Sequence, residues 1–207
     1  MSVISQPKPR VLDETCDIPS VAIYRLTVEQ YHQIVGAGII GEDEPVELLK
    51  GWLVRKMGKK PPHRIATELT REALGEVIPS GWHVQSQEPI TTLDSEPEPD
   101  VSVIRGSARD YAQEHAGPNN VGLLVEVADT SLARDRGFKK QIYAEARIPV
   151  YWIVNLIDSL VEVYTEPSGP GEQPDYRKNE TYSAADDVPV VLDGREVGRI
   201  AVRDLLP

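Results

Sequence analysis

The chain of 207 residues has one cysteine, Cys16, which excludes an internal disulfide and fits a reducing, cytoplasmic setting. No apolar run approaches the roughly 20 residues of a helical membrane span. Residues 1–20 carry three prolines and no apolar core of the signal-peptide kind, so they read as a loosely attached arm and export is not expected. There is no internal repeat and no low-complexity tract. Positive charge is also in short supply: 22 Lys and Arg stand against 33 Asp and Glu, a net charge of −11. Sequence-independent affinity for nucleic acid comes mostly from cations that neutralise phosphates, so any such binding here must rest on a local basic patch.

What is present is an α/β pattern of one domain, residues 21–207, with a core of about 24–165 and a C-terminal β extension over 176–207. Thr27 and Gln30 have capping-box spacing and predict a helix to about Val35, closed by Gly36-Ala37-Gly38. VELLKGWLVRKM, residues 46–57, reads as a hairpin turning at Lys50-Gly51. In its first arm Glu47 is the odd residue, and a solvent-facing place is the default for it. Apolar residues at helical spacing predict a helix from about His63 to Ile78. Residues 82–92 read as an extended strand with Pro89 at an edge or bulge, residues 99–104 as a short strand whose first polar residue is Asp100, and residues 107–115 as helical. Lys50, Arg55, Lys56, Lys59, Lys60 and Arg64 make residues 50–64 the densest basic region, either a phosphate-facing patch or a solvated surface.

The organising stretch is VGLLVEVADTSLARDRGFKKQIYAEARIPVYWIVN, residues 121–155. It reads as strand, helix, strand, with Glu126 inside the first apolar run. A buried, unpaired carboxylate costs several kcal/mol, so this glutamate needs a partner. Asp100 is the other acid set among apolar strand residues, and Lys139 follows Glu126 by 13 residues on the intervening helix. Two carboxylates on neighbouring strands offer hard oxygen donors suited to Mg2+ or Mn2+. A lysine beside them can orient or deprotonate a water and offset charge developing on a phosphate. Metal-assisted phosphodiester hydrolysis is the reading that uses all three. The plainer alternative is a turn aspartate and a glutamate paired to Arg or Lys. A glycosidase with two carboxylates would leave the lysine without a role.

LTVEQY, VELLKGWLV, His63, PDVSVI, LLVEVADTS, DRGFKKQIYAEARIPVYWIVN and VEVY occur in that order over residues 26–164. In these stretches the chain resembles the Uma-type restriction endonuclease family, a bacterial group within the PD-(D/E)XK superfamily. The resemblance implies an α/β, restriction-endonuclease-like fold: a central mixed β-sheet flanked by α-helices, with additional β-hairpins. It implies a Mg2+- or Mn2+-dependent endonuclease acting on DNA, with a second copy of the chain as a candidate partner. Asp100 fills the PD position and Glu126 the (D/E) position, and Glu47 matches a glutamate that completes the metal site. Ala128 stands where the superfamily lysine belongs, and aligning DRGFKKQIYA selects Lys139, over Lys140, as its replacement from the following helix. Asp135 is expected to cap the helix start, Gln141 and Tyr143 to support the site, and His63 to be structural or to approach the substrate. Glu96 and Glu98 add negative charge ahead of Asp100, unless they point to solvent. The competing class is a non-catalytic nuclease-like module that binds nucleic acid or a protein.

Overall fold

The computed structural model describes residues 23–41 and 44–207; the expected arm and Cys16 lie outside them. Helix α1 (Val28–Gly36) opens with the anticipated capping box: the Gln30 N–H donates to Thr27 Oγ1, and the Thr27 N–H donates to the Gln30 side chain. Strands β1 (Val46–Leu49) and β2 (Trp52–Arg55) form the hairpin. Lys50 and Gly51 have φ of 52° and 76°, the left-handed pair that a two-residue hairpin turn uses. A Cβ at Gly51 would meet Arg25 Cβ at 2.6 Å, so the close seat against residue 25 also requires glycine.

Helix α2 (Pro61–Val77) starts two residues before His63, because prolines are tolerated in a first turn whose N–H groups have no helical partner. Strand β3 (Trp82–Gln85) is only four residues long. The extended run expected as far as residue 92 stops where Gln87 takes a φ of 60°. After β4 (Val101–Arg105), a 3-10 turn, Ala108–Tyr111, stands in place of the helix expected over 107–115, and a second 3-10 turn, Pro118–Asn120, leads into the next strand. Strand β5 (Val121–Ala128) leads into a helical segment of three parts: α3 (Leu132–Arg134), a π turn (Asp135–Lys139) and α4 (Lys140–Glu145). Strands β6 (Val150–Asn155), β7 (Leu160–Pro167), β8 (Tyr176–Ser183), β9 (Asp187–Leu192) and β10 (Arg195–Ala201) follow, and a 3-10 turn, Val202–Leu205, closes the chain.

The central sheet runs β3-β4-β5-β6-β7-β8. Only β5 and β6 are parallel, with Glu126 opposite Ile153, and a parallel pair requires a crossover, here the helical segment. The C-terminal region is integral to the domain: β8 is the sixth strand, and the β9–β10 hairpin covers one face. On that face Val103, Val125 and Trp152 pack with Ala66 and Leu74 of α2 and with Val190 and Ile200. On the other face Leu124, Ala128 and Ile153 pack with Leu49 of the β1–β2 hairpin and with Ile142 and Tyr143 of α4. Fully burying one such aliphatic side chain contributes roughly 1.5–3 kcal/mol. All eight residues of β5 are buried, and their apolar members offset the cost of taking Glu126 out of water. Gly122 lets β9 approach, since a Cβ there would meet Leu192 and the Trp82 ring at 2.7 Å. Among the described residues, no helix is long and apolar enough to cross a membrane.

Candidate active site

Strand alternation turns Glu126 toward the face covered by α4 and the β1–β2 hairpin. There it is 3% exposed, and one of its oxygens takes two donors. Lys139 Nζ lies 2.8 Å from Glu126 Oε1 and the Tyr143 hydroxyl donates to the same atom at 2.6 Å. Glu126 Oε2 carries no hydrogen bond among the described residues. Asp100, immediately before β4, accepts the Val127 N–H on Oδ2 at 2.9 Å, which ties it to the strand of Glu126. His63 Nε2 stands 3.2 Å from the same Oδ2, and Lys59 Nζ is 3.7 Å from Oδ1.

Glu47 is 1% exposed, so the solvent-facing place expected from its strand position is wrong. By alternation it shares a face with Leu49, which packs on the central sheet, and there Glu47 accepts the Glu98 N–H at 3.2 Å and lies 3.4 Å from Lys139 Nζ. Its Oε1 is buried without a hydrogen bond, with Arg134 3.8 Å away. Glu47, Asp100, Glu126 and Lys139 thus line one cleft, with Lys56 and Lys60 at its basic edge. Each of the three carboxylates has an oxygen free of close hydrogen bonds, which is the donor chemistry a hard divalent cation takes. Among the described residues, however, no three His, Cys, Asp or Glu side chains gather at metal-ligand spacing. Glu47 is turned toward Lys139 and the Glu98 N–H rather than grouped with Asp100 and Glu126.

Burial pushes the Glu126 carboxyl up to about 8, against the pull of Lys139 and with Asp135 and Asp100 adding to the rise. For Lys139, burial alone would favour the neutral amine, but Glu126, Glu47 and Asp135 outweigh it and hold the group above an ordinary lysine. It is an ammonium. Burial also opposes ionisation of Asp100, yet His63, the Val127 N–H and Lys139 prevail and keep its carboxyl below the usual range.

Asp135 is a second residue of the site, after Glu47, that sequence reading misplaced. It does not cap the helix start: it begins the π turn, is 1% exposed, accepts from Ser131 Oγ at 2.5 Å and leaves Oδ1 without a partner. Ser131, Asp135, Lys139 and Tyr143 recur every four residues. In a pure α-helix each such step drifts by roughly 40°, about 120° over three steps. The wider π turn takes back part of that drift, so Asp135 and Lys139 are both buried and Lys139 and Tyr143 reach the same oxygen. The Lys140 N–H bonds to the Asp135 carbonyl five residues back, and the Tyr151 hydroxyl donates to that carbonyl at 3.2 Å. On the outer side Arg136 forks onto Glu162 of β7, at 2.6 and 3.0 Å.

Lys140 lies on the helix flank, paired to Asp175 at 2.8 Å and over the Tyr164 ring. Gln141 is exposed, whereas Tyr143 touches Glu126 directly. Ala128 is fully buried among apolar side chains, so a lysine there would have to bury its ammonium in hydrocarbon, and the cation arrives from the helix instead. Neither Glu96 nor Glu98 is a free charge facing solvent. Glu96 is buried and bonded to His32 and Thr91, each at 2.7 Å, and Glu98 is paired with Lys56. The basic edge is likewise engaged, with Lys60 3.2 Å from Asp129.

A profile of the Uma2 family, described as "Putative restriction endonuclease", matches residues 28–198. The chain belongs to the Uma2 family. Its fold is similar to that of a putative nuclease belonging to DUF820 from Anabaena variabilis, with a TM-score of 0.63 and 15% identity over 87% of this chain and 97% of that one. At that identity the likeness speaks for the fold, and it supports the restriction-endonuclease-like sheet expected of an Uma2 chain. No curated protein matches.

Proposed function

We propose that this Uma2 chain is a divalent-metal-dependent endonuclease that hydrolyses phosphodiester bonds of DNA. The observation that carries the reading is the buried Lys139 ammonium, delivered by the crossover helix to 2.8 Å from the Glu126 carboxylate in a cleft shared with Asp100. Asp100 and Glu126 would hold Mg2+ or Mn2+ through their less engaged oxygens, and Glu47 Oε1 is a third donor within the same cleft. Such an ion, when bound, polarises a phosphoryl oxygen and lowers the pKa of a water. Lys139 is held as an ammonium, so it acts as a fixed donor that offsets charge developing on the phosphate rather than as a resting base. Tyr143 and Lys139 together fix which Glu126 oxygen faces the cleft. Lys56, Lys59 and Lys60, with exposed Arg64 one helical turn on, would meet the backbone phosphates.

The second reading, a binding module without catalysis, draws on the engaged state of that basic edge: Lys56, Lys59 and Lys60 all face acids of the cleft. One experiment separates the two. Wild type and Glu126→Gln are assayed on linear duplex, supercoiled and single-stranded DNA with Mg2+ or Mn2+. Cleavage by wild type alone is expected; binding without cleavage on every form would leave the module reading.

A further inference from the structure

The two edges of the central sheet are built differently. Strand β3 is four residues long, and short edges are one way proteins avoid unwanted strand addition. Strand β8 is eight residues long and has no proline. Among the described residues nothing pairs with its outer side, and residues 177–181 are exposed on both faces. A row of outward N–H and C=O groups is therefore presented to solvent, a template for a further strand.

The side chains on that edge are self-complementary. Lys178, Glu180 and Tyr182 share one face, with Lys178 Nζ 3.3 Å from Glu180 Oε1 and the Tyr182 hydroxyl near the same carboxylate, whereas Tyr176 is buried on the other face against Tyr151 and Tyr164. A two-fold axis through Asn179, perpendicular to the sheet, would pair β8 antiparallel with a second β8. Lys178 then faces Glu180 twice. On the other face Arg177 meets Thr181 and Asn179 meets its own copy. Sliding the register two residues either way sets Lys178 against Lys178 or Glu180 against Glu180, and like charges directly opposite are destabilising. The charges thus allow one register and penalise its neighbours, whereas a purely protective edge needs only repulsion.

We propose that β8 is a homodimerisation edge, joining two copies of this chain into a continuous twelve-stranded sheet by isologous contact about Asn179. The partner is a second copy, and the association is weak and concentration-dependent because one strand edge contributes it.

The test is charge reversal, read by sedimentation equilibrium on the full chain. Wild type is expected to show a monomer–dimer equilibrium. Lys178→Glu and Glu180→Lys should each weaken self-association at least about tenfold, as each places like charges opposite one another. Mixed in equal amounts, they should form a heterodimer about as tight as wild type, since one chain then brings two acids and the other two bases. Melting curves on each variant check folding; both positions are exposed, and Lys178→Gln with Glu180→Gln replace any variant that does not fold. A wild type that stays monomeric at several hundred micromolar overturns the proposal. So does self-association unchanged in both single variants, or a mixture that stays monomeric. None of these outcomes depends on nuclease activity.

Discussion

Lys139 and Glu126 stand 13 residues apart in the chain and 2.8 Å apart in the fold, both almost wholly buried. Breaking a buried ion pair by removing one partner typically costs about 3–5 kcal/mol, because the other charge is left uncompensated. Lys139→Met should therefore abolish turnover and, in urea unfolding above about pH 8 where Glu126 is ionised, lower stability by about that amount. A second change, Glu126→Gln, should recover a large part of the stability and none of the activity. Lys140→Ala removes only a flank pair and should stay within about 1 kcal/mol of wild type. Cleavage by Lys139→Met at the wild-type rate would end the assignment of the ammonium.

Tyr143→Phe deletes one of the two donors to Glu126 Oε1 and nothing else of its size. The lost bond in this buried site should cost about 1–3 kcal/mol in stability. Loosening a group that orients a metal-holding carboxylate should cost about 10–100-fold in Mn2+ affinity, read by calorimetry. Unaltered affinity would mean that Lys139 alone sets the carboxylate.

The carboxyl of Glu126 is raised in the folded state, so between the ordinary glutamate range and about 8 the folded chain binds a proton that the unfolded chain has lost. Stability then falls as pH rises through that window. Thermal melts with a chelator present should show the decline from Glu126, and Glu126→Gln should flatten it. Glu162 runs the other way. Burial opposes its ionisation, but the Arg136, Tyr164 and Asn155 hydrogen bonds hold its pKa below the ordinary range. Its contribution is present above the unfolded value and is lost as pH falls through the folded one, so Glu162→Gln should blunt acid unfolding. A pH profile that neither substitution changes would refute both attributions.

Replacing Lys56, Lys59, Lys60 and Arg64 should weaken DNA binding on all sequences. For every cation withdrawn from a phosphate, the slope of log affinity against log salt should become shallower by about 0.9. Lys59→Ala and Lys60→Ala should also free Asp100 and Asp129, so Mn2+ affinity should rise even as DNA affinity drops. Equal salt slopes for wild type and the quadruple variant would make the region a solvated surface.

Much of the site was legible because local pattern and local chemistry coincide there. An apolar strand with one acid, a cap-rich turn and a basic helix return the chain to a parallel strand, and that connection alone brings Lys139 over Glu126. Thr27 and Gln30 announced their helix for the same reason. Alternation says which residues share a face, not which face is covered. Glu47 was therefore misplaced to solvent, and residues 176–183 were read as an extension although they complete the central sheet. Asp135 failed differently. Its residue type suits a cap, and nothing in the composition of DRGFK signals that five residues will wind as a π turn.

That turn makes the helix vulnerable to a particular kind of genetic change. Substitutions within residues 135–139 alter one side chain each, but losing or gaining a single codon would turn everything on one side of the break by about 100°. Arg136 on Glu162 and Lys139 on Glu126 would then no longer be satisfied together. The length of this stretch, rather than its lettering, is what the crossover helix must inherit intact.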